Sequence, residues 1–130
     1  LSSSGRLQLI HHPEDHPLGP AFRFRFSEGH TPGLTHLELL DPVHVVFASD
    51  LIPGTPWVHL PITMGYDRYP ELLIEEKRIL LEQLEAEGGY LFYTHDPRVA
   101  MSRVARDAKG KYSAVAPLET LDGWTGTAHA

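Results

Sequence analysis

The chain has 130 residues, 42% of them apolar and 22% charged, which suits one globular domain with an ordinary core and excludes an intrinsically disordered chain. No stretch approaches the roughly 18 consecutive apolar residues of a transmembrane helix, so a membrane is not expected as a partner. The formal charge of −6, from 11 Lys plus Arg against 17 Asp plus Glu, argues against nucleic acid.

Cysteine is absent, which excludes disulfides and thiol catalysis and leaves the compartment open. Nine histidines are many for this length, and histidine is the commonest metal ligand.

The chain begins Leu1-Ser2-Ser3-Ser4-Gly5 with no charged and apolar leader. Residues 1–5 are therefore expected to be a disordered or appended polar end, left by processing, by cloning or by omission of upstream sequence. Arg6 to Ile10 reads as a short strand, and His11 to Pro20 as a polar loop punctuated by prolines. Phe22, Phe24 and Phe26 alternate with Arg23, Arg25 and Ser27. That period of two predicts a half-buried strand with phenylalanines inward and arginines toward solvent. Two further apolar runs, Leu34 to Leu40 and Val43 to Ala48, flank Asp41-Pro42 as a hairpin, giving four strands in an antiparallel meander.

From Ser49 to Pro70 the chain is rich in Pro, Gly and aromatics, and Pro53, Pro56 and Pro61 forbid a long regular element. Pro70 should open a helix, and Gly88-Gly89 should close it. Leu73, Leu80 and Leu84 share its apolar face, widened by Leu72, Ile74, Ile79 and Leu81; Glu75, Lys77, Arg78, Glu82 and Glu85 cover the rest. A short strand follows at Tyr90 to Tyr93. Met101 to Arg106 and Lys111 to Ala116 then form a closing hairpin around Asp107 to Gly110. The tail, residues 118–130, is small and polar and expected to fray apart from Trp124, with His129 carrying no signal. The elements sum to an α/β fold, a mostly antiparallel sheet backed by one long helix.

Three polar side chains stand where strands end: His30 in Gly29-His30-Thr31-Pro32-Gly33, Asp50 in Phe47-Ala48-Ser49-Asp50-Leu51, and His95 in Phe92-Tyr93-Thr94-His95-Asp96. Strand ends along one sheet edge converge, and catalytic groups cluster on such loops. Two imidazoles and a carboxylate suit zinc, iron or manganese, and a carboxylate can bridge two metals. Each residue also has a plainer reading: the histidines as turn residues, Asp50 as the cap or turn acceptor of its loop.

In this order the three segments resemble the C-terminal half of the metallo-β-lactamase fold, over about residues 20–116. That family carries a histidine in a G-H-T-P-G-H stretch, an aspartate at a G-D-L-like strand end and a late histidine. The resemblance implies His30 as a ligand of a first metal, Asp50 as the bridging carboxylate and His95 as a ligand of a second. It also implies half of an αβ/βα sandwich spanning residues 6–117 and a zinc-dependent hydrolase acting on an ester, lactone or phosphoester. The long aromatic loop resembles the lactonase and organophosphate-hydrolase-like branches. By that likeness Trp57, His59, Met64 and Tyr66, with Tyr69, would line a substrate pocket; the plainer reading has Trp57 and Tyr69 pack the loop onto the core. Asp67 and Asp96 are candidates to accept from the far nitrogens of ligand histidines, with Asp96, just before Pro97, favouring a turn role instead.

The sequence departs from the family pattern at three points. Leu34 stands where the second histidine of G-H-T-P-G-H is usual, and Ser49 replaces the glycine common before the aspartate. The H-x-H-x-D-H motif, which supplies most remaining ligands and the general base, is absent from these 130 residues; His11, His12 and His16 do not keep its spacing. The isolated chain is therefore expected to lack hydrolytic activity. Half a sandwich leaves one apolar sheet face uncovered, so self-association or a complementary N-terminal chain is expected. The alternatives are a truncated non-catalytic module that oligomerises and a metal-free domain that binds a small molecule.

Overall fold

In the computed structural model, which describes residues 2–126, six strands pair strictly in chain order, β1 to β6. The strands are β1 (Phe22–Ser27), β2 (Leu34–Leu39), β3 (Val45–Phe47), β4 (Tyr90–Phe92), β5 (Met101–Arg106) and β6 (Tyr112–Leu118). All neighbours are antiparallel except β3 and β4, which run parallel and are joined through the single helix α1 (Pro70–Glu87). A parallel pair needs such a crossover, and the helix lies against the sheet it bridges. The architecture is the expected α/β sheet with one backing helix.

Helix α1 starts at Pro70, whose fixed φ suits the first turn, and stops at Gly88 in the left-handed conformation, φ 69°. Leu73, Leu80, Leu81 and Leu84 are fully buried against Val46, Ala48, Leu91, Tyr93 and Val104 of the sheet and Leu51, Ile52 and Val58 of the long loop. Each buried leucine contributes on the order of 2 kcal/mol by removal from water.

Several expectations are corrected. Leu72 and Ile79 are exposed and do not widen the buried face, whereas Lys77, expected on the solvated face, is wholly buried. Arg6–Ile10 forms no strand, so the meander has three strands rather than four; upstream, Ser2–Ser4 makes a 3₁₀ turn. The Ser49–Pro70 segment contains two 3₁₀ turns, Ser49–Leu51 and Thr55–Val58. Strand β6 runs two residues further than expected, to Leu118.

Strand β1 has the expected period, but its arginines turn to the helix side rather than to solvent. The buried carboxylate of Glu38 lies on the helix side of β2, and Arg23 and Arg25 of β1 turn toward it, each 2.5 Å from one of its oxygens. Arg25 also bonds Gln83 of α1. An ionised carboxylate out of water needs such partners, and His44, bonded to both Glu38 and Glu87, completes the set.

The phenylalanines consequently face away from the helix. Phe22 joins Leu37, Leu39, Val45, Phe47, Phe92 and Met101 on that second face, around an open hollow of about 230 Å³ that Leu121 and Trp124 also line. Phe26 is 37% exposed. This is the apolar face expected to lack a cover. The described part of the tail is laid over it, with Trp124 edge-on to Tyr90 at 5.8 Å between ring centroids; the rest of the expected frayed end, with His129, lies outside the described residues.

Candidate metal centre

The loop carrying His30 is clamped to the start of α1. A Cβ on Gly29 would stand 2.4 Å from the backbone of Leu73, so only glycine lets the two chains approach this closely. The Glu76 carboxylate accepts from the backbone N–H groups of Glu28 and Gly29 at 2.7 and 3.0 Å. The amides of Arg68 and Tyr69 donate to the carbonyls of His30 and Gly29.

Asp50 sits on the 3₁₀ turn that follows β3, anchored by the buried Leu51 and Ile52. The preceding Ser49 takes φ 52°, the left-handed region that favours glycine, which is the residue common there in the family the sequence resembles. His95 follows β4, and its amide donates to the carbonyl of Pro53 at 2.8 Å. Asp96 was the other candidate to accept from a ligand histidine. Its oxygens instead take the Thr55 amide and hydroxyl and the amides of Arg98 and Val99. Burial works against its ionisation, but those bonds hold its carboxyl at about 2. It ties two loops together.

The three strand-end residues meet. His30 Nε2 lies 3.4 Å from one oxygen of Asp50, and His95 Nε2 lies 3.0 Å from the other. That second oxygen, Oδ1, is buried without a well-aligned hydrogen bond, the His95 contact being short but off-axis. On the far side of the His30 ring, Nδ1 lies 2.7 Å from Asp67 Oδ1, and the other Asp67 oxygen accepts from the Met64 amide at 2.6 Å. A carboxylate can only accept, so Nδ1 carries a proton and Nε2 is the atom turned to Asp50. A carboxylate behind a histidine in this way fixes ring and tautomer for metal ligation.

Two imidazole nitrogens on either side of one under-satisfied carboxylate are a donor set that fits zinc, iron or manganese. The contacts run through Asp50 rather than around a common centre, and among the described residues no three His, Asp or Glu groups form a ready ligand shell.

The aromatic loop divides. Tyr66 is 75% exposed and stands edge-on to the His30 ring at 6.1 Å, beside the centre. Met64 contributes its backbone to the Asp67 turn. Trp57 packs on the buried cluster instead, and the His59 carbonyl faces Lys77. Tyr69 is half-exposed at the helix start.

Lys77 was missed as part of this region. Its Nζ donates to the carbonyls of His59, Leu60 and Ile62 at 3.2, 3.1 and 2.8 Å. Burial pushes its ammonium down to about 8, with the nearby Asp67 carboxylate opposing. The available signal was spacing, since residue 77 falls on the stripe defined by Leu73, Leu80 and Leu84.

No family model and no curated protein matches the sequence. Solved structures do match. A dizinc quorum-quenching lactonase, AidC, in complex with a product superimposes with a TM-score of 0.65 and 22% identity, covering 78% of this chain and 35% of its own. A probable metal-dependent hydrolase from Staphylococcus aureus gives 0.66 and 21%, covering 79% and 38%. The hydrolase AbOPH of the β-lactamase superfamily gives 0.64 and 19%, covering 74% and 34%. The likeness at these identities is one of fold, and the chain spans about a third of the length of the structures it matches.

Proposed function

Because this chain folds as one half of the metallo-β-lactamase sandwich, we propose that it contributes half of a metal-dependent hydrolytic site. The observation that carries this is Asp50 flanked on opposite oxygens by the Nε2 atoms of His30 and His95, with His30 oriented from behind by Asp67. In this reading His30 holds a first metal, Asp50 bridges and His95 holds a second. Zinc in such a site lowers the pKa of bound water to around 7 and polarises a carbonyl or phosphoryl oxygen. One matched structure is a lactonase and the others are hydrolases; together with the resemblance carried by the sequence, they support an ester, lactone or phosphoester substrate. In the same reading Tyr66, whose exposed ring stands beside His30, touches that substrate.

The remaining ligands and the general base would come from residues outside these 130, presented by whatever covers the Phe22–Phe47–Phe92 face. The isolated chain then binds metal without turnover. A second reading, a non-catalytic module that associates through this face, is favoured by Phe26, which stays 37% exposed on it.

Native mass spectrometry of the purified chain with one to three equivalents of Zn(II) separates the readings, since it reports bound metal and assembly state together. Stoichiometric zinc that is lost in Asp50→Ala supports the hydrolytic half-site. A metal-free oligomer under the same conditions overturns it in favour of the association module.

A further inference from the structure

A charged side chain in the apolar stripe of a helix is strongly unfavourable unless every donor is satisfied. Lys77 meets that condition in a specific way. An ammonium has three N–H donors, and they meet three carbonyls from one short stretch of loop, His59, Leu60 and Ile62. Pro61 lies within that stretch and denies it a regular ladder of its own. Helix and loop are thus joined at one buried point, with Lys77 at 0% exposure.

The joined loop leads directly to the candidate centre. Two residues beyond Ile62, the Met64 amide donates to Asp67 Oδ2, and the Asp67 amide donates back to the Met64 carbonyl at 3.0 Å. This closed turn presents Asp67 Oδ1, its side chain 1% exposed, to His30 Nδ1. The His30 backbone is already fixed to the start of α1 through Gly29 and Glu76. Both halves of the His30–Asp67 contact therefore refer to the same helix, the histidine from its first turns and the aspartate through Lys77.

We propose that Lys77 is a positioning residue for the metal centre: it pins the 59–62 backbone to α1 and so sets the depth at which Asp67 meets His30. The inference rests on the reading of His30 as a metal ligand. Lys77 touches neither metal nor substrate and acts through Asp67.

The test compares wild type with Lys77→Met, which keeps the length and apolar stem and removes the three donors. Circular dichroism and thermal melting establish that the variant is folded. The first readout is the His30 ring in the metal-free chain, followed by long-range ¹H–¹⁵N correlation, which distinguishes the Nδ1–H tautomer from an averaged ring. The second is Zn(II) affinity by titration calorimetry.

Expected are a folded Lys77→Met chain whose His30 ring is no longer held in the Nδ1–H form, and a zinc affinity at least tenfold weaker, the range seen when partners behind a ligand histidine are lost. A folded variant with wild-type His30 signals and affinity overturns the inference. If Lys77→Met does not fold, Lys77→Gln, which keeps two donors at shorter reach and no charge, is read the same way. A wild-type chain that takes up no zinc defeats the metal reading, while the tautomer readout still decides whether Lys77 positions His30.

Discussion

Asp67 reaches across 37 residues of sequence to place one carboxylate oxygen 2.7 Å from Nδ1 of His30. The contact leaves the ring's Nε2 facing Asp50 before any ligand arrives, and it sets what should happen when Asp67 is changed.

Asp67→Asn preserves shape but offers an amide where a charged acceptor stood. The His30 tautomer is then no longer dictated, and Zn(II) affinity should fall by about 10- to 100-fold with the melting temperature little changed. Titration calorimetry beside a melting curve checks this, and unchanged affinity would remove Asp67 from the site.

Ser49 holds φ 52° immediately before Asp50. A residue with a Cβ pays a steric cost in that region that glycine does not, of order 1 kcal/mol, partly offset by the greater unfolded freedom of glycine. Ser49→Gly should therefore stabilise the chain by about 0.5 kcal/mol. Urea denaturation measures it, and a destabilised variant would show that the serine side chain holds the turn.

Stability should peak near pH 6.5. Burial pushes His36 down to about 4, so the unfolded chain binds its proton first and stability is lost as pH falls from 6.5. Burial also opposes the Glu38 charge, but hydrogen bonds from His44, Arg25 and Arg23 hold its carboxyl at about 2; its contribution is present above the ordinary 4.5 and is lost as pH falls toward 2. His44 is raised by its bond to Glu38 against the effect of burial, so its contribution is present below 6.5 and is lost as pH rises through the folded value. Melting temperatures from pH 3 to 8 test the sum, and a maximum at pH 4.5 would contradict it.

Glu38→Gln should cost about 3 kcal/mol, because it leaves two arginines facing a neutral group in a half-buried site. Chemical denaturation at pH 6.5 reads this directly. A loss below 1 kcal/mol would mean that solvent, rather than Glu38, balances Arg23 and Arg25.

Trp124 shields Tyr90 and lines the hollow beside it. Trp124→Ala should raise the fluorescence of an apolar dye bound to the chain and shift native mass spectra toward larger assemblies. Unchanged dye binding would mean that the tail contributes no cover.

Helix α1 was legible because a proline start, a glycine stop and a leucine stripe agree on one element. The convergence of His30, Asp50 and His95 was legible because each follows a strand, and neighbouring strands bring their ends together. The orientation of β1 was not. Alternation says that two faces differ but not which faces the helix, and the deciding residue was Glu38, on another strand, which drew the arginines inward. Lys77 was hidden for the opposite reason. Its place on the stripe was visible, but charge argued against burial, and the three carbonyls that satisfy it come from an irregular loop with no periodic signature. Arg6–Ile10 has an apolar pattern but gains no strand neighbour, and a strand without a partner leaves its backbone groups to water.

The sheet's order follows the chain without exception, each strand lying beside its predecessor. Loop closures are therefore short everywhere except across α1, and no strand must wait for a later one to be threaded between established neighbours. The first three strands can assemble as they emerge from synthesis, α1 can then collapse onto them, and the last three can add in turn at the growing edge. Such a unit has a route to its structure in which every step adds to a neighbour already in place.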